Sequence, residues 1–188
     1  MNTSEREAAQ ALRGAYRLAR FDARGLDDFD ASPGGAWRSF FAAVLVAPGH
    51  ALILAFHLSS SGSPESDGWH AGALHALAFA IEVAAYPLLM RHVAMAMGRG
   101  TRWTLFVAAN NWSMVVQLGY HLAALGAVEL LPGGAGMALA TVLFGLVLAY
   151  AWFVARSALA IGGPAAAGVV LLDIALSFSI SRLTDALT

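Results

Sequence analysis

Residues 134 to 156 read GAGMALATVLFGLVLAYAWFVAR, a run with no charge until Arg156 closes it. A hydrocarbon core about 30 Å thick takes ~20 helical residues at ~1.5 Å rise each, so a stretch of this length and composition reads as a membrane-crossing helix. Working outward, four more stretches repeat the pattern: residues 39 to 58, 71 to 90, 103 to 126 and 165 to 181, the last of them short for a full crossing. The fold class expected is all-α: a polytopic membrane protein, a bundle of five transmembrane helices preceded by a short N-terminal amphipathic helix.

The composition agrees. Of 188 residues, 59% are hydrophobic and 12% charged, where a soluble domain carries about twice that charge. The spans use up nearly everything after residue 38, which predicts an arm and linker over 1–38 and one five-span membrane domain over 39–188. Cysteine is absent, which excludes disulfides, thiolate metal sites and thiol catalysis. All eleven basic residues are Arg and none is Lys, a bias that suits a GC-rich bacterial genome.

Charge sets the expected orientation. Residues 1–38 hold Arg6, Arg13, Arg17, Arg20, Arg24 and Arg38; the second connection holds Arg91, Arg99 and Arg102; span four ends at Arg156. The connections around Ser59 to His70 and Ala127 to Gly133 carry neither Lys nor Arg, and only Arg182 follows span five. The positive-inside rule then gives a cytoplasmic N-terminus and a periplasmic C-terminus in a bacterial inner membrane. The polar lead before Phe40 has no short apolar region followed by a cleavage site, so no signal peptide is expected. Trp37, Trp69, Trp103 and Trp152 fall at span ends, where an indole suits the headgroup level.

Within the arm, Arg13, Arg17, Arg20 and Arg24 recur at helical spacing beside a stripe of Ala9, Leu12, Tyr16 and Ala19. Two arrangements fit: an interfacial helix with its arginines on anionic lipid, or a helix capping the cytoplasmic side of the bundle. Asp27, Asp28 and Asp30, then Ser32, Pro33, Gly34 and Gly35, break the pattern and mark a linker.

Ionisable residues inside spans cost about 2.5 to 3.5 kcal/mol at the bilayer centre, so each needs a reason. Counting ~1.5 Å per residue from the cytoplasmic boundary, His50 lies about 16 Å up, Glu82 about 14 Å and Asp173 about 12 Å. Asn110, Asn111 and Ser113 come out at roughly 10 to 15 Å by the same rise. These six form a candidate midplane polar layer facing the bundle interior. It serves either as a hydrogen-bonded register for the helices or as a path for protons or ions through Glu82 and Asp173. Pro48-Gly49 before His50, and Pro87 after Glu82, favour local kinks near that layer.

Higher up, His57, His75 and His121 fall at roughly 24 to 27 Å. They are the candidate ligands for zinc, copper or a b-type haem, although no H-x-x-x-H or H-E-x-x-H pair concentrates them on one helix face. No cofactor is expected. Gln117 and His121 share a helix face with Ser113. Gly145 with Ala149, Ala80 with Ala84, and Gly119 with Ala123 make small-x-x-x-small pairs suited to close helix contact, and the pair on span four offers a homodimer interface. Gly98-Arg99-Gly100 precedes no phosphate-binding helix start, and neither a nucleotide nor a nucleic acid partner is implied.

The strings FDASPGGAWRSFFAAVLVAP (29–48), AAYPLLM (84–90) and VAANNWSMVVQ (107–117) resemble bacterial members of the five-span Yip-like membrane protein family. The resemblance covers Phe29 to about Gln117 and the plan of a cytoplasmic arm before five helices. In eukaryotes this family works in membrane trafficking and binds prenylated small GTPases. The eukaryotic signature motifs of the first two spans are missing here, so that partner is not carried over, and the resemblance supplies no catalytic residues. The sequence thus predicts a non-enzymatic membrane protein of Yip-like type, acting in membrane organisation or as a transporter-like module, with the lipid bilayer as its partner. The rival readings are a small proton-coupled transporter or channel using Glu82 and Asp173, and a haem- or metal-binding membrane protein.

Overall fold

Long apolar runs fold as long helices, and several of their ends fall where glycine or left-handed backbone interrupts them. The computed structural model describes residues 3–60 and 68–187. Among these residues the helices are α1 (Thr3–Ala19), α2 (Pro33–Arg38), α3 (Phe41–Ser60), α4 (Gly68–Ala96), α5 (Trp103–Leu130), α6 (Ala135–Leu159) and α7 (Gly163–Asp185), with short 3-10 helices at Ala23–Asp28 and Gly100–Arg102. Five helices are long and apolar enough to cross a membrane, the first counted from Pro33 through α2 into α3 as far as Phe56. The chain is an all-α polytopic membrane protein with a short N-terminal helix.

The helices outrun the apolar stretches that announced them. α4 continues beyond residue 90 through Arg91 and His92, because charge at a membrane boundary does not stop a helix; Gly98, at φ 67°, does. The short fifth span becomes a 23-residue helix. Pro164 sits in its first turn, where a missing N–H costs nothing, and Ser179 and Thr184 hydroxyls donate to carbonyls one turn back. Between α6 and α7 the turn is made by Ala160 in the left-handed region, with its N–H returned to the Arg156 carbonyl. Pro48 and Pro87 lie inside helices that continue past them.

The tightest pair is α5 with α6, antiparallel across a short turn; α1 and α3 lie on α5, α7 on α6, and α4 leans mainly on α7 while touching α3 and α5 little. Most of the buried side chains gather at the end of the bundle nearest the arm: Met90 and Ala94 of α4, Phe106 to Ala109 and Trp112 of α5, Tyr150, Val154, Ala155, Ala158 and Leu159 of α6, Ala166 and Val169 of α7. Alanines recur at these contacts because lipid gives apolar helices no reason to associate, and close backbone approach supplies the attraction. The close approach expected at Gly119 and Gly145 is not made within the chain: a Cβ added at either would meet nothing within 4 Å.

The arm is part of this dense end. Ala11, Ala15 and Leu18 of α1 are fully or almost fully buried, and the Tyr150 hydroxyl donates to the Ala15 carbonyl at 2.8 Å. Phe21 turns the chain with φ 58° and meets the Phe153 ring edge-on at 5.3 Å. The following 3-10 helix folds back on α1 so closely that a Cβ on Gly14 would come within 2.7 Å of the Gly25 carbonyl. The stripe Ala9, Leu12, Tyr16, Ala19 is therefore not the buried face. Ala9 is exposed and Tyr16 is 58% exposed; the face that docks is Ala11, Ala15 and Leu18, flanked by Ala8, Leu12 and Ala19, because alanines allow closer backbone contact than a tyrosine.

Candidate functional site

Between α3, α4, α5 and α7 the helices part around a cavity of about 590 Å³. Helical spacing lines each wall. Val46, His50 and Ile53 follow i, i+4, i+7 on α3; Phe79, Glu82, Val83 and Tyr86 share a face of α4; Asn110, Met114, Gln117 and His121 descend one stripe of α5; Asp173 comes from α7. The cavity extends along α5 as far as Glu129, nineteen positions from Asn110, or about 28 Å at the helical rise.

Five of the six residues of the expected polar layer line this one cavity: His50, Glu82, Asn110, Asn111 and Asp173. Ser113 does not. It is fully buried, and its hydroxyl donates to the Ala109 carbonyl one turn back at 2.6 Å. Asn111 is only half available, since its amide donates to the Ser39 hydroxyl at 2.9 Å and Ser39 donates in turn to the Ala36 carbonyl at 2.6 Å. That chain ties α5 to the junction of α2 and α3.

The carboxyl groups meet through α7. Ser177 donates its hydroxyl to the Glu82 carboxylate, and Ser177 stands one turn beyond Asp173 on the same helix face. Glu82 and Asp173 therefore lie about one turn apart, roughly 6 Å along the helix axis, and are in electrostatic reach of each other. His50 stacks on the Phe79 ring at 4.7 Å and 26°, which fixes the imidazole beside Glu82. No Arg or Lys lines the cavity. Its ionisable groups are three carboxyls, Glu82, Asp173 and Glu129, two imidazoles, His50 and His121, and the Tyr86 phenol, so the chamber suits a proton or a cation and gives an anion no permanent counter-charge.

Sequence reading did not single out Tyr86, Glu129 or Ser177. The signals were present: Ser177 follows Asp173 at i+4, and Glu129 continues the Gln117, His121 spacing by two more turns. Of the three histidines weighed as metal ligands, His121 lines the cavity, His75 is half-buried on α4 without lining it, and the side chain of His57 lies outside the described residues. Among the described residues no three His, Asp or Glu side chains come together as a metal-binding group.

The four arm arginines do not form a single helix face. α1 ends at Ala19, so Arg24 falls on the 3-10 helix. Arg17 pairs with Asp22 at 3.2 Å and with Asp28 at 3.1 Å, Arg13 approaches Asp28 at 3.7 Å, Arg24 holds Asp22 at 2.9 Å, and Arg20 lies over the Tyr16 ring at 5.9 Å. Nearer the membrane, Arg38 joins Glu7 of α1 at 2.9 Å to Asp30 at 2.6 Å. Hydrogen bonding from Arg24, with that from Arg17, holds the Asp22 carboxyl down at about 2. The Ser32 backbone N–H, with help from Arg38, lowers Asp30 as well.

No family model, curated protein or solved structure matches this chain, so the Yip-like resemblance gains no family assignment from these comparisons.

Proposed function

We propose that the protein is a non-enzymatic, transporter-like membrane protein that takes a proton or a small cation into the cavity between α3, α4, α5 and α7. The observation that carries this reading is the nearness of Glu82 and Asp173, from separate helices, with Glu82 held by Ser177 one turn along from Asp173, in one chamber that no Arg or Lys lines. Two carboxylates that face one another at membrane depth repel, and a proton or cation between them relieves the repulsion. His50 of α3 and Asn110 of α5 offer further polar stations on the other walls of the same cavity. In this reading the arm is cytoplasmic and the C-terminus periplasmic in a bacterial inner membrane, because ten of the eleven arginines fall on the arm side of a five-span plan. The Yip-like resemblance belongs to the same proposal and bears on that plan, not on the chemistry.

The test is proton flux in proteoliposomes loaded with a pH-sensitive dye and driven by a potassium diffusion potential. Wild-type protein is expected to dissipate the gradient faster than empty liposomes, and Glu82→Gln and Asp173→Asn, with unchanged melting in detergent, are expected to abolish the difference. Flux equal to that of empty liposomes, tested also with monovalent cations in place of protons, would remove the carrier reading.

A further inference from the structure

A second hollow, of about 500 Å³, lies between α2, α4 and α5 at the arm end of the bundle. Trp37 and Phe40 form one wall, Leu88 and Trp103 the other, and Ala84 and Val107 lie deeper. None of its lining residues is ionisable. The Trp103 indole is fixed as a wall, because its N–H donates to the Pro87 carbonyl at 2.8 Å. Trp37, by contrast, is 78% exposed and faces outward beside the opening.

A cation lies beside this hollow, on its Trp103 wall. Arg91 follows Pro87 by one turn of α4 and lays its guanidinium 5.8 Å from the centre of the Trp103 ring. Its side chain is exposed, and among the described residues it makes no ion pair. From Arg91 to Ala84 the hollow runs seven residues deeper, about 10 Å at the helical rise. A charged head, an aromatic collar and an apolar slot thus succeed one another in the order found in a phospholipid.

We propose that this hollow binds an anionic phospholipid, with the phosphate on Arg91 and one acyl chain between Trp37 and Trp103. A guanidinium pairs with phosphate oxygens through several N–H donors, and basic pockets between transmembrane helices suit anionic headgroups. A zwitterionic lipid fits less well. No carboxylate lines the site to receive its ammonium, and the Trp103 face that would hold a quaternary ammonium already carries Arg91. The assignment stands apart from the carrier reading, since none of the cavity's carboxyls takes part.

Titration of full-length protein in mixed micelles with brominated phosphatidylglycerol or brominated phosphatidylcholine, read by tryptophan fluorescence, tests it. Bromine near Trp37 and Trp103 quenches their emission. Phosphatidylglycerol is expected to quench at lower concentration than phosphatidylcholine. Arg91→Gln should weaken its apparent affinity roughly five-fold, and Arg91→Lys should keep most of it. Ala84→Phe, which fills the slot and leaves the charge, should reduce quenching by both lipids. Equal quenching by the two lipids in the wild type, or a preference unchanged in Arg91→Gln, overturns the proposal. So does a preference that survives the Trp37→Phe, Trp103→Phe double variant, since it would arise elsewhere on the surface.

Discussion

The two ends of this bundle are made from the same helices at similar apolarity, yet near the arm α1, α5 and α6 close into a packed core, with a hollow only at its α2–α4 side, while the other end opens around the polar cavity. Near the arm, Phe106, Ala109, Tyr150, Ala158, Leu159 and Ala166 are each at most 1% exposed. Toward the other end, Leu130, Met137, Val142 and Phe178 are all exposed, and a cavity separates α4 from α3 and α5. Hydrophobicity does not explain the difference, because leucine is as content in lipid as against another helix. Side-chain size does. Alanine pairs let α5, α6 and α1 approach at the arm end, whereas His50, Phe79, Glu82 and Gln117 hold the walls apart and need polar company.

The sharpest way to break this contrast is to delete the same ring at both ends. Phe106→Ala, in the dense end, is expected to cost about 3 kcal/mol, since the surroundings cannot collapse into the void. Phe79→Ala, on the cavity wall, should cost less than about 1 kcal/mol. Chemical or thermal unfolding in detergent measures both, and equal losses would mean that the cavity closes in solution.

Adding atoms gives the complementary test. A Cβ on Gly25 would come within 2.5 Å of the Gly14 carbonyl, so Gly25→Val is expected to destabilise the arm by about 2 kcal/mol and to speed its removal by protease. Gly119→Val at the open end meets nothing and should leave stability within about 0.5 kcal/mol of wild type.

A smaller effect follows from one hydrogen bond. Tyr150→Phe removes the donor to the Ala15 carbonyl and should cost about 1 kcal/mol, with the loss confined to α1 in hydrogen exchange. At the cavity, Glu82→Leu should cost a similar amount, about 1 kcal/mol, because the Ser177 hydroxyl loses its acceptor but can turn to the carbonyl one turn back. Glu82→Gln should be nearly neutral. Equal stability of the Gln and Leu variants would mean that the bond to Ser177 contributes little.

The mildest perturbation is acid. Asp22 sits at about 2, below its ordinary 3.8, so its contribution to arm docking is complete above about pH 4 and is lost as the pH falls from there toward 2. Asp30 is shifted the same way. Protease sensitivity of α1 should therefore rise in that interval before the membrane helices respond, and salt should reproduce part of the effect because these pairs are exposed. Simultaneous loss of arm and bundle would show that the two are not separable.

Much of this was legible in the sequence, and what was not has identifiable causes. The number of membrane-crossing helices followed from apolar length, but α2 did not: Pro33, Gly34 and Gly35 read as a linker, whereas Pro33 opens a helix behind the Ser32 cap. The ends of the long helices did not either, because hydropathy marks where lipid stops while Gly98, Ala160 and Pro164 mark where helix stops. The depth count put His50, Glu82, Asn110, Asn111 and Asp173 together, and all five line one cavity. It did not give direction around the helix, which is why Ser113 was grouped with residues it turns away from. The arm was the least legible part. Its Arg spacing suggested one continuous face, but Phe21 adopts a left-handed turn that no pattern announced, and Asp22 and Asp28 then draw Arg17 inward.

The bond from Tyr150 to Ala15 joins residues 135 positions apart, and this has a consequence for biogenesis. The arm leaves the ribosome well before Tyr150 does. At about 5 to 20 residues per second the interval is roughly 7 to 27 seconds, long compared with helix formation. α1 lies chiefly on α5, which is made before α6, so for part of that time the arm has its main helix partner but not the bond from Tyr150. A chain stalled short of Tyr150 should therefore hold the arm less firmly, and present it to protease more readily, than a released one.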